Sequence, residues 1–434
     1  MTIKKHHVVT AAALSTILAA PGAWAADTLT EALTGGKVSA NVQLRHESVE
    51  QNNALQDANA TTVRARLGYE TGNYKGFGAM LEAETLTALG NKSYDSKATG
   101  DSHIGTHSVV ADPEATEINQ AYLSYSGLAN TTVKWGRQRI ILDNARFVGN
   151  VGWRQNEQTF DAFTVVNKSL PDTTITAGYI TNVNRVFSDN SSTPTTFATA
   201  GNAKMGSPIF NVSYKGWSFA EIVGYAYLLD YDINSQASFV AFSTDTYGIR
   251  LNGSAPMGGN KLLYTAEYAR QSDGSNNTVD FKTNYMLLEG GIDLTGVAVF
   301  KVGYEVLGSD TGAITKATGL AAANKSFSTP LATLHAFNGW ADMFLATPTN
   351  GLKDTYVSAN TKLAGVNLGA VYHDYAADTG ATSDLGNELN LVAAYTFDKN
   401  YTVGLKYADY SAGDLLPATY PDTKKTWLWG EFKF

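Results

Sequence analysis

The chain has no cysteine in its 434 residues. That excludes a disulfide framework, a thiolate nucleophile and a Cys-ligated zinc site. Charge is also scarce, with 17% of residues Asp, Glu, Lys or Arg, where an ordinary soluble domain carries about 25%. Basic residues are outnumbered 32 to 40, for a net charge of −8. Such a balance argues against a nucleic-acid partner. After residue 25 no apolar run reaches the roughly 18 residues of a membrane helix. If this chain enters a membrane, only a closed β-barrel remains, because hydrocarbon leaves no backbone polar group unpaired.

Aromatics with a polar tip are abundant: 23 Tyr against 18 Phe and 7 Trp. The N-terminus reads as a secretory leader spanning residues 1–25. Lys4 and Lys5 precede the short apolar stretch Val8 to Ala20, and Ala23-Trp24-Ala25 forms a small-x-small cleavage site. The rest, 26–434, shows no linker or composition shift and reads as one domain.

That remainder alternates with period two, the mark of strands with one apolar and one polar face. Val38, Ala40, Val42 and Leu44 alternate with Ser39, Asn41, Gln43 and Arg45. Arg64, Arg66 and Gly68 interrupt Val63, Ala65, Leu67 and Tyr69 in the same way. Turn signals alternate too. Short ones fall near residues 72–76, 126–128, 169–172, 214–216, 256–260, 294–296, 364–365 and 398–400. Long polar stretches fall near 87–115, 141–157, 184–206, 230–243, 272–279, 308–353, 376–386 and 411–424. The pattern predicts an all-β fold: a transmembrane antiparallel barrel of about 18 strands, with short periplasmic turns and long extracellular loops. A barrel of that size has room for an aqueous lumen. Loops 87–115 and 308–353 are long enough to fold over or into it. Tyr69, Tyr227, Tyr304, Tyr372, Tyr395, Tyr401 and Tyr407 lie near segment ends, where the rings are expected in the lipid interface.

The final segment, Lys425 to Phe434, alternates and ends in phenylalanine. A terminal aromatic on an alternating last strand resembles the assembly signal of bacterial outer-membrane proteins. The resemblance implies the barrel-assembly machinery as a partner through Phe434, and outer-membrane lipid and lipopolysaccharide as surroundings.

Function is then sought on the inward face. Parity puts Arg45, Arg64, Arg66, Arg250, Lys301, Lys362 and Lys406 there, with Glu47, Glu82, Glu84, Glu267 and Glu305. Charges lining a narrow pore set ion preference through their field, although neighbouring strand charges commonly just pair. The densest basic stretch contains Arg137, Arg139, Arg146 and Arg154 and is followed by Asp161. Because Arg137 and Arg139 share parity with Trp135, a bulge is expected at Gly136. Guanidinium groups suit carboxylates and phosphates. The expected pore lining is Arg64, Arg66, Glu82, Glu84, Arg137, Arg139, Arg146, Arg154 and Asp161.

This stretch also carries a family resemblance. Gly136-Arg137-Gln138, Arg146, Trp153-Arg154, and Gln158 with Phe160-Asp161 resemble the alginate-export type of outer-membrane porin, most strongly over 117–165. The resemblance implies a large barrel exporting an anionic polysaccharide through an arginine-rich pore. Segment 328–342 resembles a loop of such porin-like proteins, and Thr329-Pro330 suits the start of a short helix.

Other chemistry finds little support. No feature singles out a nucleophile beside His46, His103, His107, His335 or His373. His103 and His107 read as solvated loop, and Asp230, Asp232 and Asn234 begin a calcium-loop pattern that lacks its glycine. No cofactor, metal or catalytic activity is expected. The sequence points to a passive channel for small, hydrophilic, anionic solutes, with export of an anionic polysaccharide as the alternative.

Overall fold

The computed structural model describes residues 26–193, 198–232, 237–274, 276–319, 322 and 324–434. The expected leader, 1–25, and Asn234 lie outside the described residues. The strands in chain order are β1 (Lys37–Gln51), β2 (Ala58–Glu70), β3 (Phe77–Ala88), β4 (Ala115–Leu128), β5 (Thr131–Gln138), β6 (Thr159–Asn167) and β7 (Thr173–Asn184). Then come β8 (Asn202–Tyr214), β9 (Ala220–Leu229), β10 (Thr244–Met257), β11 (Asn260–Asp273), β12 (Val279–Asp280), β13 (Lys282–Leu294) and β14 (Ala298–Leu307). β15 (Ile314–Thr315), β16 (Leu352–Leu363), β17 (Val366–Ala376), β18 (Asp384–Phe397), β19 (Tyr401–Ser411) and β20 (Thr423–Lys433) complete the set.

Eighteen of these strands form one antiparallel sheet, and β12 and β15 pair separately in the loops. Closure is made by β1 on β20, from Asn41 opposite Lys433 to Gln51 opposite Thr423. Among the described residues the eighteen-stranded sheet has no unpaired edge, as a barrel in hydrocarbon requires. The first and last strands meet at the short-turn rim, where Ala40 and Phe434 exchange backbone hydrogen bonds.

Period two decides which face each residue shows. Leu44, Leu67, Leu81, Trp135, Leu288 and Leu428 are exposed on the outer wall, while Arg45, Glu47, Arg64, Glu267 and Glu305 are buried inside. Tyr69, Tyr304, Tyr372, Tyr395, Tyr401 and Tyr407 take the outward parity. Tyr227 does not. It points inward, is buried, stacks on Tyr225 and accepts a hydrogen bond from Asn211. Its strand is apolar on both faces, because the inner face there meets Phe147 from a loop folded into the barrel.

That loop, 139–158, crosses the lumen. Phe147 packs on Tyr225 of β9 and Tyr285 of β13. Seven residues further on, Arg154 reaches Glu47 of β1, on the opposite side of the cylinder. A second inward loop, 324–350, joins it through a parallel bridge between Val148 and Leu331. This extended pairing displaces the expected helix start at Thr329-Pro330, and the short 3₁₀ turn forms instead at Leu334–Ala336.

Candidate functional site

The inward strand residues and the two crossing loops form a charged brace. Arg154 donates to both carboxylate oxygens of Glu47, at 2.9 and 3.1 Å, and to Asp342 of the second loop at 2.8 Å. Arg45, buried beside it, donates to Asp112 and to the backbone oxygen of Trp153 at 2.5 Å. Asp112 also accepts the backbone N–H of Gln155 at 3.0 Å. Burial alone would push the Asp112 carboxyl up, but Arg45 and Arg154 outweigh it and hold it below the usual carboxylate range.

Arg146 is the corresponding strut on the far side. It donates to Glu305 at 2.7 Å, Thr329 at 3.3 Å and Asn338 at 3.1 Å. Its guanidinium lies 4.8 Å from the Phe337 ring centre. Burial disfavours its charge, and Glu305 outweighs burial, so the group stays ionised.

Between these struts lies the cluster that still meets the lumen. Arg139 donates to Glu82 at 2.5 Å and to Glu157. Arg66 donates to Glu84 and, at 3.0 Å, to the Gln155 backbone oxygen. Arg64 donates to Asn41 and, at 3.3 Å, to the same Gln155 oxygen. Asn119 supplies a further donor to Glu82 at 2.7 Å. Burial would raise Glu157, but Arg139 and Arg66 bring it down to about 2.

Exposure within these pairs is one-sided. The Arg139 side chain is 27% exposed, whereas Glu82 is 8% and Glu157 1%. Arg66 is 10% exposed and Glu84 is fully covered. On the opposite wall Arg250 is 13% exposed against 1% for Glu267, at 3.6 Å. The looser Arg64–Glu431 pair, at 3.9 Å, runs the other way. In most of these pairs the carboxylate is turned into the wall and the guanidinium toward the water.

Two expected lining residues sit elsewhere. Arg137 and Asp161 form a two-pronged pair, at 2.8 and 3.2 Å, on the parity of the exposed Trp135 and Phe163. They therefore face outward, near the long-loop end of β5 and β6. The register of β5 against β4 and β6 runs unbroken through Gly136, so the expected bulge is absent there. Gly136 instead has φ of +125°, and a side chain there would collide with the Ala121 backbone. Arg139 lies past the strand end, which frees it to turn inward. Arg64, Arg146 and Arg154 are inside but buried, so they brace the loops and do not meet a passing solute.

Sequence reading alone missed the partners on the second loop. His335 and Asp342 are joined at 2.6 Å, and Asp342 takes Lys425 at 2.8 Å. The Lys406 ammonium lies 2.7 Å from His335 Nε2, with the Trp153 and Trp340 ring centres at 4.2 and 3.8 Å. Burial, with Lys406 nearby, drives the imidazole down to about 3 despite Asp342. Parity had marked Lys406 as inward; nothing in an aperiodic loop signals which residue meets it.

A closed 18-stranded cylinder with an apolar outer wall, charged interior and inward loops is the architecture of an outer-membrane channel. A family model described as "Alginate export" matches residues 38–327, and the chain belongs to that family. Among solved structures, the chain is similar to OccK9 (OpdG) of Pseudomonas aeruginosa, with 14% identity and a TM-score of 0.68 over 93% of this chain and 99% of that one. OccAB4 of Acinetobacter baumannii gives 13% identity and a TM-score of 0.66 over 92% and 97%. OpdK of Pseudomonas aeruginosa, solved with vanillate, gives 14% and 0.65 over 92% and 98%. No curated protein sequence matches. The fold is that of outer-membrane porins, and the chain resides in the bacterial outer membrane.

Proposed function

We propose that this protein is a passive channel through which small, hydrophilic, anionic solutes diffuse. The observation that carries the reading is the one-sided exposure of the lumen ion pairs at Arg139–Glu82, Arg139–Glu157, Arg66–Glu84 and Arg250–Glu267. The guanidiniums of the brace and its neighbours face a comparable set of carboxylates, so net charge alone selects nothing. A solute meets the side of each pair that is left uncovered, and that side is cationic. Arg139, Arg66 and Arg250 carry the selectivity, and Glu82, Glu84, Glu157 and Glu267 hold them in place.

Export of an anionic polysaccharide, which the family name suggests, is the second reading. The buried ties between loops 139–158 and 324–350 favour the smaller solute, because a polymer needs a wide passage along the whole axis. Liposome swelling separates the two. Small carboxylates, vanillate among them, are expected to enter proteoliposomes faster than neutral solutes of equal size. Passage of alginate oligomers at a comparable rate would overturn the preference for the first reading.

A further inference from the structure

The outer wall has an attachment at its short-turn rim that the channel does not use. Helix α1 (Leu29–Thr34) is closed by a capping box: the Thr28 side chain accepts from Glu31 N–H, and the Glu31 carboxylate returns to the Thr28 backbone. Only Ala32 is buried. Leu29 and Leu33, one turn apart and therefore on one face, are each more than half exposed.

Register shows where this helix sits. Tyr69 pairs with Val38 and Leu81, both exposed on the lipid-facing parity beside Leu67. The Tyr69 hydroxyl donates to the Leu33 backbone oxygen at 2.6 Å and accepts the Gly36 N–H at 3.0 Å. The turn after β2 adds two ties, Gly72 N–H to Ala32 oxygen at 2.9 Å and Ala26 N–H to Asn73 oxygen at 2.8 Å. A side chain at Gly36 would collide with the Tyr69 ring. The helix is thus fastened to an outward-facing tyrosine, at the level where barrel aromatics meet lipid headgroups.

We infer that α1 is an interfacial anchor, lying on the periplasmic leaflet with Leu29 and Leu33 in the acyl boundary. Leu33 is tied to Tyr69, whose strand neighbours Val38, Leu67 and Leu81 are exposed on the lipid-facing wall, so the occupant of the leucine face is the phospholipid already covering that wall. A free amphipathic helix this short would not hold at an interface. The capping box and Tyr69 preorganise it.

Because the chain has no cysteine, Leu33→Cys, Leu29→Cys, Thr34→Cys and Leu81→Cys each provide a single labelling site. The full-length barrel would be labelled with a bimane fluorophore and placed in vesicles containing brominated phosphatidylcholine, with folding checked by heat-modifiable migration. The labels at 33 and 29 should lose emission nearly as strongly as the wall label at 81, while the label at 34, turned off the leucine face, loses little. Iodide in the water should give the reverse order. If the labels at 33 and 29 respond like that at 34, or are shielded from both quenchers, the anchor does not exist. A Tyr69→Phe background, which removes the hydroxyl without touching the leucines, should weaken the lipid quenching at 33. Unchanged quenching there would contradict the role given to Tyr69.

Discussion

Arg154→Ala removes a side chain that joins β1, the first crossing loop and the second. Arg154 is buried and makes three charge-assisted contacts, two to Glu47 and one to Asp342. Breaking a buried pair from one side costs about 3–5 kcal/mol. The low end applies here, because Glu47 retains Arg45 at 3.6 Å and Asp342 retains His335 and Lys425. A loss of about 3 kcal/mol falls on the ties between the loops, since strand pairing is untouched. Barrel migration on unheated gels should therefore stay normal, while single-channel records become noisier and step between levels as the loops come loose. Arg154→Lys should rescue only in part, because an ammonium lacks the fork that reaches both carboxylates. If Arg154→Ala conducts as quietly as the parent, loops 139–158 and 324–350 are held by something other than this brace.

Arg139→Ala should reduce anion preference several-fold, whereas Arg137→Ala should leave selectivity unchanged, because its pair with Asp161 lies on the outer wall; reversal potentials of the two variants check both. Equal loss in the two would place Arg137 in the pore. The buried His335 is neutral in the folded state down to about pH 3, while the unfolded chain binds its proton below about pH 6.5. Stability is therefore full above that value and declines as pH falls from 6.5 toward 3, by up to about 1.4 kcal/mol per unit. Thermal unfolding in detergent between pH 7 and 4 measures it, and His335→Gln should flatten the slope. Phe434→Ser should lower the yield of barrel inserted in cells while the protein still folds into detergent micelles, which separates an assembly signal from a packing role; equal loss in both would indicate packing.

The barrel itself was legible because hydrophobic alternation and turn spacing repeat along the whole chain. Seven of the eight short turns overlap the positions the sequence marks, while the one expected at 126–128 falls at 129–130, because β4 runs on to Leu128. Only the tight connection 52–57 between β1 and β2 carried too weak a signal to be marked as a loop. The inward faces of β1, β2 and β3 were legible for the same reason. What failed was local. β9 is apolar on both faces, so parity says nothing about Tyr227 until Phe147 is known to reach it. Counting through Gly136 required a bulge to bring Arg137 inside, and the register shows none. The brace joins residues up to 192 positions apart across aperiodic loops, and no sequence pattern encodes such a meeting.

The most direct test is the reversal potential of the purified protein in a planar bilayer with a potassium chloride gradient. An aqueous lumen whose ion pairs turn their guanidiniums to the water gives ohmic steps and a reversal potential displaced toward the chloride equilibrium value. A displacement toward the potassium value, or no conductance at all, would contradict the anionic channel.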